Sequence, residues 1–172
     1  MVEQTSQQVS SNEQRRSPEQ SHIREIYERI PANGLALHAT TSTRAKKILE
    51  GGLDPLWELH FYCLTPIHDW TLNPLPSVDL FESTIENLKY FAEQKKHDDL
   101  QQDATGSVVV FEPNFALRTY WGNKPREDGI IYIRHGHRIP KEQILGVISL
   151  DDVGEGFELG RFLGELLSVL DK

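Results

Sequence analysis

The apolar positions of this 172-residue chain fall into short runs whose spacing changes from one segment to the next. Residues 1 to 16 carry almost none. They are rich in Gln and Ser and have too little apolar area to offset the entropy of ordering, so a disordered polar tail is expected. The segment SPEQSHIREIYERIP predicts a helix, with Ser17 as N-cap, Pro18 in the first turn and Gln20 at capping-box spacing. Its stripe of Ile23, Ile26, Tyr27 and Ile30 follows the i, i+3, i+4, i+7 pattern; Pro31 ends it, and Asn33-Gly34 makes a turn. Leu35 to Ala39 reads as a strand. Ser42 to Glu50 reads as a short helix with Ala45, Ile48 and Leu49 inward and Gly51-Gly52 as its C-terminal cap.

A second strand is expected at His60 to Leu64, closed by Thr65-Pro66. IHDWTLNPLPSVD then carries two prolines and little periodicity, which predicts a loop long enough to have a function. Helical spacing resumes over residues 82 to 97 through Ile85, Leu88, Phe91 and Ala92. SVVVFEP, residues 107 to 113, is β-branched and bounded by Gly106 and Pro113, and so predicts a strand. Beyond NFALRTYWGNKPREDG two more strands are expected, GIIYI and ILGVISL, separated by RHGHRIPKEQ. The last helix covers residues 157 to 170, with Leu159, Phe162, Leu163, Leu166, Leu167 and Leu170 on one face. That stripe is core, or a partner groove if it overhangs the domain. No internal repeat is visible, and the strands gather toward the C-terminal half. An α+β fold therefore fits better than a regularly alternating parallel one.

Length narrows this to one domain, residues 17 to 172, since domains cluster around roughly 100 to 150 residues. With 38% apolar and 26% charged residues, the composition is that of a globular protein. No apolar run approaches the ~20 residues of a membrane span. The N-terminus also lacks the apolar stretch of a secretory signal, so the expected site of action is the cytoplasm, or a host cytoplasm if the chain is delivered as an effector. The net charge of −8 gives no overall attraction to nucleic-acid phosphates, and a nucleic-acid target would need a local basic patch. Cys63, the only cysteine, excludes an intramolecular disulfide and any multi-cysteine zinc site; within an apolar run it reads as a buried, inert thiol.

Candidate chemistry starts at LALHATTSTRAKKILEGGL, where an imidazole, His38, stands near the end of an apolar strand. The hydroxyls Thr40, Thr41 and Ser42 lead from it into a helix. Strand ends beside helix N-termini present free backbone N–H groups and hydroxyl donors, which suits phosphates or ribose hydroxyls and so a nucleotide. Tyr62 lies on the second strand.

This order resembles the ADP-ribosyltransferase superfamily, in its branch with a His-Tyr-Glu site, which includes diphtheria toxin and the poly(ADP-ribose) polymerases. LALHATT and the short helix ending at GGL resemble the family's first strand and helix, and HFYCLTP resembles the strand that carries the tyrosine. ESTIENLKYFAEQ is similar to the helix that follows, with Ser83 near its start and Phe91-Ala92 near its end. VVVFEP resembles the central strand, and EDGIIYI followed by IPKEQILGVISL resembles the glutamate-bearing strand and its successor. The similarity covers roughly residues 35 to 150 and lies in the order and spacing of these motifs.

The resemblance implies a split β-sheet core with flanking helices, and NAD as the substrate. His38, with Ala39 and Thr40, would hold the cofactor near the nicotinamide ribose. Tyr62 would pack against nicotinamide, with Ser83 and Phe91 completing the cofactor site. A carboxylate would bond the ribose 2′-hydroxyl, and as C1′ gains oxocarbenium character that charge would stabilise the transition state more than the ground state. Glu127 takes this role through its longer arm, with Asp128 as the substitute. Pro125 stands where arginine-modifying members carry Gln or Glu, so arginine is not indicated as acceptor. Tyr120, Trp121 and Lys124 lie in the segment that contacts the macromolecular substrate in the family.

The function implied is NAD-dependent mono-ADP-ribosylation of a macromolecule, protein rather than nucleic acid, by a toxin- or effector-like enzyme. A noncatalytic module of the same fold, binding NAD, ADP-ribose or a protein, is the alternative. An RNA 2′-phosphotransferase-like enzyme is another, and the net charge of −8 argues against it. Each residue also has an ordinary structural role open to it: His38 as a buried histidine bonded to backbone, Tyr62 as core packing, Glu127 as a solvated turn residue and Trp121 as cover for the core edge. In RHGHR, His135 and His137 with His38, His60 or His68 would make a metal set. His-x-His alone is a weak signal, a solvated hairpin rim fits as well, and no metal is expected.

Overall fold

The computed structural model describes residues 18–54, 59–66, 75–98, 105–113, 130–135, 138–150 and 159–172, with Leu59 and residues 131–135 described through their backbone. The predicted tail and Ser17 lie outside these residues. Helix α1 spans residues 18–29. It is followed by β1 (Leu35–Thr41), α2 (Ser42–Gly51), β2 (Leu59–Leu64), α3 (Val78–Asp98), β3 (Gly106–Phe111), β4 (Ile130–His135), β5 (Ile144–Ser149) and α4 (Leu159–Leu170). The strands form a five-stranded sheet in the order β4-β2-β1-β3-β5. All four pairings are antiparallel, as an α+β class requires.

Strand β1 is the centre of the sheet and is covered on both faces, which is why its apolar residues run nearly without alternation. Leu35, Leu37 and Ala39 join the larger core with Ile23, Ile26 and Tyr27 of α1, Phe81, Ile85 and Leu88 of α3, and Phe162, Leu163 and Leu166 of α4. The rings of Tyr27 and Phe81 meet edge to face, with centroids 6.3 Å apart. Ala36, on the opposite face, packs with Ala45 of α2, Phe61, Cys63, Val109 and Phe111. The C-terminal stripe is therefore core. Val169 is buried with it, while Leu170 is only partly buried. Gly146 explains the difference: a Cβ there would stand 3.0 Å from both Val169 methyl carbons, so the missing side chain on β5 admits Val169 against the strand.

Two local interactions set helix boundaries that apolar spacing misses. Ser77 Oγ accepts the Leu80 N–H at 3.2 Å, so α3 starts at Val78, inside the predicted loop. Thr41 Oγ1 accepts the Arg44 N–H at 3.2 Å and caps α2. That short helix reaches the sheet through Ala45 and half-buried Ile48 alone; Leu49, expected inside, is 47% exposed. At its C-terminal end, Gly52 has φ +82° and donates its N–H to the Ile48 carbonyl at 2.8 Å. The chain then pairs Leu53 with Ile139, which ties the α2 exit to the entry into β5.

The sheet is split. β1 pairs with β2 only through Leu35↔Leu64, Ala36↔Cys63 and Leu37↔Tyr62, yet it continues along β3 as far as Thr41↔Gly106. β2 likewise continues along β4 to Leu59↔His135. Past Leu37 and Tyr62 the β2-β4 pair therefore diverges from β1-β3-β5, and His38 is the first residue beyond the fork.

Gly52 is constrained twice. Besides its positive φ, a Cβ there would lie 2.6 Å from the Ile139 carbonyl oxygen and 2.9 Å from the Lys141 nitrogen, whereas a Cβ on Gly51 meets nothing within 4 Å. Gly52→Ala is expected to destabilise by at least about 1–3 kcal/mol. Gly51→Ala, at the last helical residue, should be neutral or stabilising by up to about 1 kcal/mol. Denaturant unfolding of the two variants beside the parent chain checks the contrast.

Candidate functional site

The fork leaves the end of His38 facing a carbonyl instead of a ladder partner. Its Nδ1 stands 2.8 Å from the His60 backbone oxygen. A carbonyl only accepts, so Nδ1 carries the proton and donates it. The imidazole pKa is lowered from 6.5 to about 4, first by withdrawal of the ring from water and then by the positive charges of Lys95, His60 and Arg44, against the opposing pull of the His60 carbonyl. At neutral pH the ring is therefore uncharged in one tautomer, and Nε2 is left with a lone pair. A histidine fixed this way is a hydrogen-bond acceptor of defined direction.

Tyr62, the last β2 residue paired with β1, is half-buried against the larger core. Its hydroxyl accepts from Asn87 Nδ2 on α3 at 3.1 Å, which fixes the ring between strand and helix. His38 and Tyr62 border one cleft of about 150 Å³. Buried Phe61 and Leu88 form its inner lining with half-buried Phe91, while exposed His60 and Gln94 and half-buried Lys95 form its outer part. A cavity of that order accommodates a single six-membered aromatic ring. The cleft thus offers a planar ring an apolar slot with aromatic sides, one hydrogen-bond acceptor and a cation near the mouth.

Of the residues expected at the site, His38, Ala39, Tyr62 and Phe91 are brought together around this cleft. Thr40 and Ser83 do not line it. Thr40 is 1% exposed on β1, and Ser83 is exposed on α3, eight residues before Phe91 and so about 12 Å away along the helix axis. Glu127, Asp128, Tyr120, Trp121 and Lys124 lie outside the described residues, as do His68 and His137. Groups of the hydroxyl-rich β1–α2 turn are engaged within the fold. The Ser42 N–H donates to the Thr105 carbonyl at 2.7 Å, Ser42 Oγ accepts the Thr105 N–H at 3.2 Å, and Thr41 Oγ1 is the helix cap. These groups tie the turn to the start of β3.

Asn87, Gln94 and Lys95 were not expected from the sequence. The available signal was their spacing: Asn87, Phe91, Gln94 and Lys95 fall at i, i+4, i+7 and i+8, a polar margin along the apolar stripe of α3. Cys63 is fully buried, with burial holding its thiol pKa above the ordinary range, and is no nucleophile. Among the described residues no group of three or more His, Cys, Asp or Glu is placed to hold a metal ion, and no helix is long and apolar enough to cross a membrane. No protein-family model, curated protein or solved structure matches the chain.

The depressed His38 pKa carries a sign. Between pH 6.5 and about 4 the unfolded chain binds a proton that the folded chain refuses, so His38 lowers stability as pH falls through that window and has no effect on the slope above it. The difference in urea midpoint between the parent chain and His38→Gln, which cancels the carboxylates common to both, should be constant above pH 6.5. Below it, the parent chain should lose ground to the variant.

Proposed function

We propose that this chain is an NAD-dependent mono-ADP-ribosyltransferase that modifies a macromolecule, with protein as the acceptor class. The observation that carries the proposal is the fork in the sheet, which sets neutral His38 and Tyr62 on one ring-sized cleft. A split sheet and these two residues at its opening are what the family resemblance implies for a nicotinamide pocket. Independent chemistry supports the same ligand. Nicotinamide is a planar six-membered ring, which the slot's volume and aromatic sides suit, and the hydroxyls of an adjoining ribose are donors for the bare Nε2 of His38.

In the proposed reaction the C1′–N bond of NAD breaks and its electron pair neutralises the pyridinium nitrogen as nicotinamide leaves. The acceptor then bonds to C1′ and gives up a proton. Tyr62 and Phe91 hold the departing ring, and the tautomer of His38 orients the ribose. Glu127, with Asp128 as substitute, would supply the carboxylate that stabilises positive charge at C1′. A noncatalytic NAD- or ADP-ribose-binding module is the second reading. It is favoured by one observation: the described lining of the cleft contains no carboxylate.

Nicotinamide release from NAD, followed with and without a cell lysate as a source of acceptors, separates the two. Lysate-dependent release that Glu127→Gln abolishes, with NAD affinity retained, is expected for the transferase. His38→Ala and Tyr62→Ala should each weaken NAD binding about tenfold or more, equivalent to roughly 1.4 kcal/mol. NAD binding without release would establish the module, and neither binding nor release would refute both.

A further inference from the structure

The larger chemical anomaly of the cleft is its charge. The chain has a net charge of −8, yet the charged groups that bear on His38 are all basic and come from three different elements: Lys95 of α3, His60 of β2 and Arg44 of α2. Lys95 and His60 line the cleft itself. The Lys95 side chain is half-buried and lines the cleft together with exposed Gln94 and His60. Its neighbour Lys96 is paired with Glu93 at 2.9 Å, whereas Lys95 makes no hydrogen bond or ion pair with the described residues. A cation held at the edge of an apolar slot, where screening is weaker than in bulk water, favours an anion there.

Resting on the proposed nicotinamide site, we infer that Lys95 is the phosphate-binding residue of the cleft: it takes the phosphate next to the nicotinamide ribose and selects nucleotides over the nucleoside that lacks the phosphate. Ring and phosphate of a mononucleotide are joined through one ribose. A ligand whose ring fills the slot and whose ribose meets His38 Nε2 carries its phosphate out toward the mouth, where Lys95 stands. The order along α3 is compatible with this: apolar Leu88 and Phe91 line the cleft, and polar Gln94 and Lys95 follow one turn later.

Calorimetric binding of nicotinamide mononucleotide and nicotinamide riboside tests this on the parent chain, Lys95→Gln and Lys95→Arg, at low and at physiological ionic strength. Adenosine monophosphate serves as a third probe. The parent chain should bind the mononucleotide at least about tenfold tighter than the riboside. That preference should fall to about threefold or less in Lys95→Gln, persist in Lys95→Arg, and shrink with added salt. Affinity for the riboside, itself a pyridinium cation, should not fall in either variant, whereas a merely structural effect of the substitution would lower it.

Equal binding of the two nicotinamide ligands, or an undiminished preference in Lys95→Gln, overturns the Lys95 assignment and leaves the nicotinamide site standing. Adenosine monophosphate bound through Lys95, with neither nicotinamide ligand bound, keeps the phosphate site and refutes the nicotinamide reading. No binding of any of the three refutes both.

Discussion

The contact between His38 Nδ1 and the His60 carbonyl stands where two strands cease to pair, and the cleft is organised around it. A sheet that opens leaves backbone polar groups without ladder partners, and each such group withdrawn from water costs about 1–3 kcal/mol if nothing replaces the lost bond. Here an imidazole supplies the replacement. The same bond that satisfies the carbonyl selects the ring tautomer, and the tautomer decides that the nitrogen left over is an acceptor. One hydrogen bond thus serves both the integrity of the fork and the chemistry offered inside it.

Such an opening persists only because both faces of the sheet are braced. On one side α1, α3 and α4 close a continuous apolar core over β1, and on the other α2 and the Leu53–Ile139 bridge hold the second cluster. Helix α3 does more than cover the sheet. Through Leu88 and Phe91 it closes the cleft, and through Asn87 it restrains the Tyr62 hydroxyl. Both halves of the site are therefore carried on regular elements rather than on loops, which keeps the ring of Tyr62 and the lone pair of His38 in a constant relation.

Charge divides the labour further. Burial keeps the His38 ring neutral, with lesser contributions from its basic neighbours Lys95, His60 and Arg44, and two of these, Lys95 and His60, line the cleft of a chain whose net charge is −8. On the proposed function, a dinucleotide with a planar base at one end and phosphates beyond its ribose would meet the apolar slot and the basic residues in matching order. The acidity of the remaining surface disfavours long stretches of nucleic-acid backbone, so the local field suits a small anionic ligand better than a polynucleotide.

The amphipathic stripes of α1, α3 and α4 and the β-branched run of β3 were legible in the sequence because periodicity and burial follow directly from side-chain type. His38 and Tyr62, singled out by their order on consecutive strands, line one cleft. Leu49 was expected inside and is exposed, and Thr40 and Ser83 do not line the cleft, for a common reason: how much of α2 reaches the sheet, which way a β1 side chain points and how far along α3 the cleft extends depend on packing. Of the hydroxyls after His38, Thr41 caps α2 and Ser42 tethers the turn to Thr105, roles the sequence did not show because only the fold brings Thr105 to Ser42. By itself the sequence determined the elements, their order, the α+β class and the chemical types available near the first strand. Tertiary structure alone decided where the sheet opens, which His38 nitrogen is free, and that Asn87 and Lys95 share its cleft, because each depends on contacts between residues distant in the chain.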